Sequence, residues 1–87
     1  MPNNIQILTN AEIADRLSTL AQLLSMEKAN PYKIEAYRRA ANTIRGLGEN
    51  VDELVRSGAD LTVYSGTGGA ISGAICEIVL SFHGSQT

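Results

Sequence analysis

A single cysteine, no tryptophan and no surplus of positive charge mark this chain of 87 residues. The lone Cys76 excludes an internal disulfide and any site built from several cysteines. Lying in the apolar run 74–80, it is expected to be a buried, inert thiol. Aromatic residues make up only 5%, so aliphatic side chains and alanine must fill the core. The net charge is −2, and a domain that meets nucleic acid with its whole surface carries a basic excess instead. Any DNA or RNA contact therefore has to be local. No apolar stretch approaches the ~20 residues of a membrane-spanning helix, and no basic-then-apolar leader opens the chain. The expectation is a soluble cytoplasmic protein. Period-two alternation is missing too, which argues against strands.

What the sequence does have is helical periodicity in a length that fits one domain. After a lead-in over residues 1–8, Thr9-Asn10-Ala11-Glu12 reads as a capping box. Ile13, Leu17, Leu20 and Leu24 follow as one apolar stripe, ending near Glu27. Asn30-Pro31 supplies a cap and a first-turn proline for a second helix to about Arg45, with Ile34, Tyr37, Ala41 and Ile44 inward. Asn50 to Glu53 repeats the capping pattern for a short helix stopped by Gly58. A connector over 59–65 then leads to the tight turn Gly66-Thr67-Gly68-Gly69. The last helix carries Ile71, Ala74, Ile75, Ile78, Val79 and Phe82 up to Gly84, and its wide apolar face marks it as the expected central helix. The reading is an all-α, compact four-helix domain over 9–84, with a hairpin at about 62–69 and a frayed tail at 85–87.

The glycine turn is the one motif with chemical content. Glycine lets backbone turn sharply and approach a ligand closely. The N–H groups of Gly68, Gly69 and Ala70 would stand unpaired at the positive end of the last helix, an arrangement suited to phosphate. A dinucleotide fingerprint fails, because Ser72 replaces the third glycine and no strand precedes it. A mononucleotide P-loop fails because Gly69-Ala70-Ile71 stands where Gly-Lys-Ser/Thr is needed. A helix-hairpin-helix gripping a DNA phosphate remains, beside a plain turn in which Gly73 and Ala74 merely permit close packing. The glycines alone do not decide between these two.

The run Asn30-Pro31-Tyr32-Lys33-Ile34, followed by Ala36-Tyr37-Arg38-Arg39-Ala40-Ala41, resembles the N-terminal domain of family X DNA polymerases, the DNA polymerase beta group. The likeness extends over about residues 10–82. It implies a non-catalytic, four-helix DNA-binding module whose hairpin amides hold a backbone phosphate, with a place in DNA repair and gapped or 5′-phosphorylated DNA as partner. Lys33 falls on the lysine that contacts the 5′-phosphate, Tyr37 on a tyrosine near that pocket, and the Tyr64 and Thr67 carbonyls on positions facing a Na or K ion. Where the family has a Schiff-base lysine this chain has Ala74, and after Arg56 it has no Lys or Arg at all. Lyase and polymerase chemistry are therefore not expected, and no other cofactor is implied.

Four of the seven Lys and Arg residues, Lys33, Arg38, Arg39 and Arg45, lie on the second helix with only Glu35 among them. They form the expected phosphate-contacting patch, with Arg39 and Arg45 the more readily explained as partners of Glu49, Asp52 or Glu53. The expected affinity is weak, salt-sensitive and blind to sequence. The competing reading is a protein-interaction module that keeps the fold but has lost DNA, with Val63, Tyr64 and Phe82 as anchors unless they belong to the core. His83 is expected at the C-terminal dipole of the last helix, without a metal role.

Overall fold

A computed structural model describes residues 7–64 and 66–84. The chain forms α1 (Asn10–Met26), α2 (Pro31–Gly46), α3 (Val51–Arg56), the short 3-10 turn Leu61–Val63 and α4 (Gly69–Gly84). All described secondary structure is helical, as the periodicity required. Residues 1–6 of the lead-in expected over 1–8, and the tail expected over 85–87, lie outside the described residues.

Helix starts follow their caps. Thr9 Oγ1 accepts from the Glu12 N–H while Glu12 accepts from the Thr9 N–H, the reciprocal pair of a capping box. That backbone N–H, with the Thr9 hydroxyl, holds the Glu12 carboxyl below its ordinary value. Asn30 caps α2 through the Tyr32 N–H, with Pro31 in the first turn. Asn50 caps α3 through the Glu53 N–H. The stops differ in chemistry. Gly58, at φ +79°, closes α3 through bonds from its own N–H to Val55 and from the Ala59 N–H to Leu54. The same pair of bonds closes α1, but there the left-handed position is Lys28 at φ +58°, which pays the steric cost of a Cβ.

Helices α1 and α2 make the most extensive packing in the molecule. They run antiparallel, because Arg45 near the end of α2 bonds Asp15 near the start of α1 at 2.9 Å. Ile13, Ala14 and Leu17 meet Ala40, Ala41 and Ile44 in the core, completed by Ile71, Ile75 and Val79 of α4. Burying each large aliphatic side chain contributes about 2 kcal/mol. The α1–α2 pair forms the largest contact, and α4 is the element that packs against all the others. α4 lies across that pair with one buried stripe, and Leu80 on its outer side is 57% exposed. Several residues expected inside, among them Leu20, Ile34, Tyr37 and Phe82, sit half-buried at the edge. Cys76 is also half-buried instead of sealed in the core.

Leu8, read from sequence as lead-in, is fully buried, and its N–H donates to Asp52 Oδ2 at 2.8 Å. Asn10 fixes the α2–α3 loop by donating to the Leu47 and Glu49 carbonyls and accepting from the Val51 N–H. No helix among the described residues is long and apolar enough to cross a membrane.

Candidate functional site

The turn before α4 begins with Gly66, whose φ of +78° is open to glycine and costly for other residues. Space imposes the same choice. A Cβ on Gly66 would stand 3.1 Å from Arg39 Cγ and 3.6 Å from Thr43 Oγ1. The backbone of the turn therefore rests on the aliphatic stem of Arg39, which α2 delivers from a distant part of the sequence. Arg39 is exposed, and no carboxylate among the described residues lies within ion-pair distance of it.

Thr67 pins the turn from within. It is buried, its N–H donates to the Tyr64 carbonyl at 3.2 Å, and its hydroxyl lies against the Leu61 and Tyr64 carbonyls. The Ser72 N–H donates to the Gly68 carbonyl at 2.8 Å, which places Gly68 just ahead of the first turn of α4. The N–H groups of Gly68, Gly69 and Ala70 bond no described residue, and all three residues are exposed. Three open donors and the positive helix end thus lie beside a turn seated on an arginine stem.

The Tyr64 carbonyl, expected to face a monovalent cation, accepts the Thr67 N–H and lies 2.6 Å from Thr67 Oγ1. The Tyr64 hydroxyl donates to Glu49 Oε1 at 2.6 Å, and that hydrogen bond raises its pKa above the ordinary tyrosine value. Glu49 brings one negative charge close to the turn. Asp60 brings another, held ionised by the Thr62 hydroxyl and N–H, which push its carboxyl below the usual range. Arg39 is therefore a single cation among anions.

The other sequence-predicted residues are divided among several surfaces. Tyr37 and Ala74 meet in a groove of about 410 Å³ where α1, α2 and α4 converge, joined by Arg16, Glu77 and Ser81. Lys33, which the resemblance puts with Tyr37 at a 5′-phosphate, does not line this groove. Arg38 lines a different groove, between the end of α1 and the start of α2, with Tyr32 and Glu35. Arg45 is taken by Asp15, not by the carboxylates expected from sequence. Arg38, Arg39 and Arg45 thus meet different neighbours, and Arg39 is the one whose stem lies against Gly66.

Sequence reasoning offered Asp52 only as a candidate partner for arginines of the second helix. It is fully buried and accepts from Leu8 N–H, from Arg56 Nε at 2.6 Å and from His83 Nε2 at 2.7 Å. Burial works against its charge, but these three donors outweigh burial and hold its carboxyl below the usual range. His83 is thereby a partner of Asp52 and not merely a terminal charge on the α4 dipole. Among the described residues no three His, Cys, Asp or Glu side chains gather to hold a metal ion.

Searches of curated proteins and of solved structures returned no match to this chain. A family model described as a helix-hairpin-helix domain matches residues 8–83, which takes in the glycine turn and both helices flanking it. Domains of this kind generally bind DNA without regard to sequence. By that match, and by a glycine hairpin set between α3 and α4, the chain belongs to the helix-hairpin-helix domain family.

Proposed function

We propose that this domain is a non-catalytic module that binds the DNA backbone, with Gly68, Gly69, Ala70 and Arg39 sharing one phosphate. The observation that carries the reading is the seat of Gly66 on Arg39, because it adds a cation to a row of open amides. Backbone donors need no basic side chains of their own. This reconciles a phosphate-binding turn with a segment that has no Lys or Arg after Arg56.

Resemblance to the N-terminal domain of family X DNA polymerases supports gapped, 5′-phosphorylated DNA as the preferred form, in a repair setting. The Tyr37–Ala74 groove would then lie toward the 5′ end of the gap, with Arg16 as its cation. Ala74 offers no amine, so Schiff-base lyase chemistry is not part of the proposal. Borohydride reduction in the presence of incised abasic DNA should leave no covalent adduct, and an adduct on Lys33 would overturn that part.

Few phosphates can be engaged, so affinity should be weak, about 10–100 μM at low salt. Fluorescence polarisation with a gapped duplex tests this. Two neutralised phosphates give a salt slope of about −1.8, so a fourfold rise in salt should weaken binding roughly tenfold. No binding at high micromolar protein, or binding indifferent to salt, would remove the proposal.

One observation favours the second reading, a protein-interaction module. Val63, expected in the core, is instead 73% exposed beside the turn, with Glu49 and Asp60 nearby in the fold or chain. A Val63→Ser variant separates the two readings. It should leave DNA binding within about twofold, since Val63 offers a phosphate no donor.

A further inference from the structure

The hydrogen bonds of Asp52 join the segment before α1, α3 and the last turn of α4 at one carboxylate. On one side is the N–H of Leu8, at 2.8 Å; on the other is His83 Nε2 in the last turn of α4, at 2.7 and 2.9 Å from the two carboxylate oxygens. Arg56, one turn along α3, closes the third direction at 2.6 Å. The described domain thus begins and ends on one carboxylate. We infer that Asp52 is a clasp holding the two ends of the domain together, and that neutralising it releases the Leu8 anchor as a local opening while the rest of the domain stays folded.

The opening is local because the neighbouring residues have independent holds. From Thr9 onward the chain is kept by the capping box with Glu12 and by the three bonds of Asn10 to the α2–α3 loop. Leu8 has only its buried side chain and the bond to Asp52. At the other end, Ile71, Ile75 and Val79 keep α4 in the core when His83 lets go. Arg56 and His83 are both partly exposed, so water can take over their hydrogen bonds. The titratable and charged groups facing the carboxylate are these two, one from α3 and one from α4; the N-terminal side presents only a backbone N–H. Sub-global openings of this kind are ordinary for terminal segments held by few contacts.

The sign follows from the lowered carboxyl. The clasp is complete above the ordinary aspartate value of 3.8 and is lost as pH falls through the lower folded value. Amide exchange by NMR tests the inference at neutral pH in Asp52→Asn and His83→Gln. In Asp52→Asn the Leu8 amide should exchange about tenfold faster relative to that of Ile75, and in His83→Gln a few-fold faster. Equal acceleration of Leu8 and Ile75, or an unchanged Leu8, would overturn it. Should Asp52→Asn not fold, the wild-type chain answers the question between pH 6 and 3. Contacts from the Leu8 side chain to the core should vanish at a pH where the Ile75 amide remains protected; simultaneous loss would contradict the clasp.

Discussion

Arg39 and Asp52 show how much one residue can depend on what the chain folds against it. Asp52 has no apolar signal and sits in a capping turn, yet it is sealed from solvent and takes three donors. Replacing it with Asn removes the charge and one acceptor oxygen from three donors, one of them the Leu8 N–H, so Asp52→Asn should cost about 3 kcal/mol. In a domain of this size that is a fall in Tm of roughly 10–20 °C, readable by circular dichroism. Because its carboxyl is held down, this stability is intact at neutral pH and fades below pH 3.8. Wild-type Tm should therefore drop steeply in acid, while Asp52→Asn shows a much flatter profile over the same range. Neither residue was readable for its role. A spacing argument sees neighbours three or four apart, and Asp52 meets partners at positions 8 and 83.

At the scale of elements, capping chemistry was legible and packing depth was not. Thr9, Asn30 and Asn50 all cap as their side chains dictate, since caps are local. The end of α1 is the exception that a variant can exploit. Lys28 holds φ +58° without glycine's freedom, and relief of that strain exceeds the added chain entropy. Lys28→Gly should raise stability by about 0.5–1 kcal/mol, measured by urea unfolding. Gly66→Ala should do the reverse, costing about 1–2 kcal/mol and pushing the Arg39 stem aside. Its DNA binding should weaken by more than its stability loss accounts for, because the arginine moves with the turn. The half-buried edges of α2 and α4 were less readable. An apolar stripe tells which way a helix faces, whereas how far a neighbour covers it depends on where the other helices cross.

Across the whole molecule, fold class and hairpin position were written in the sequence, but the site was only partly so. The glycines located the turn, whereas the groove that Tyr37 and Ala74 share joins residues far apart in sequence. A count of charges along α2 carries no direction: in three dimensions Arg38, Arg39 and Arg45 meet different neighbours, and the domain as a whole remains at net charge −2. Such a body cannot rely on long-range attraction to DNA and must depend on contacts within a Debye length, about 8–10 Å at physiological salt. Arg39→Ala should therefore weaken gapped-duplex binding about three- to tenfold and flatten the salt slope by about 0.9, whereas Lys33→Ala should do less.

The most direct test of the phosphate site is a nitrogen-edited NMR titration with gapped, 5′-phosphorylated duplex at low salt. Amide shifts should be largest at Gly68, Gly69 and Ala70, accompanied by the Arg39 side-chain Nε, with the Leu8 and Asp52 end, at the far end of α4, undisturbed. Shifts centred on Val63 that spare the three amides, or no shifts at millimolar DNA, would contradict it.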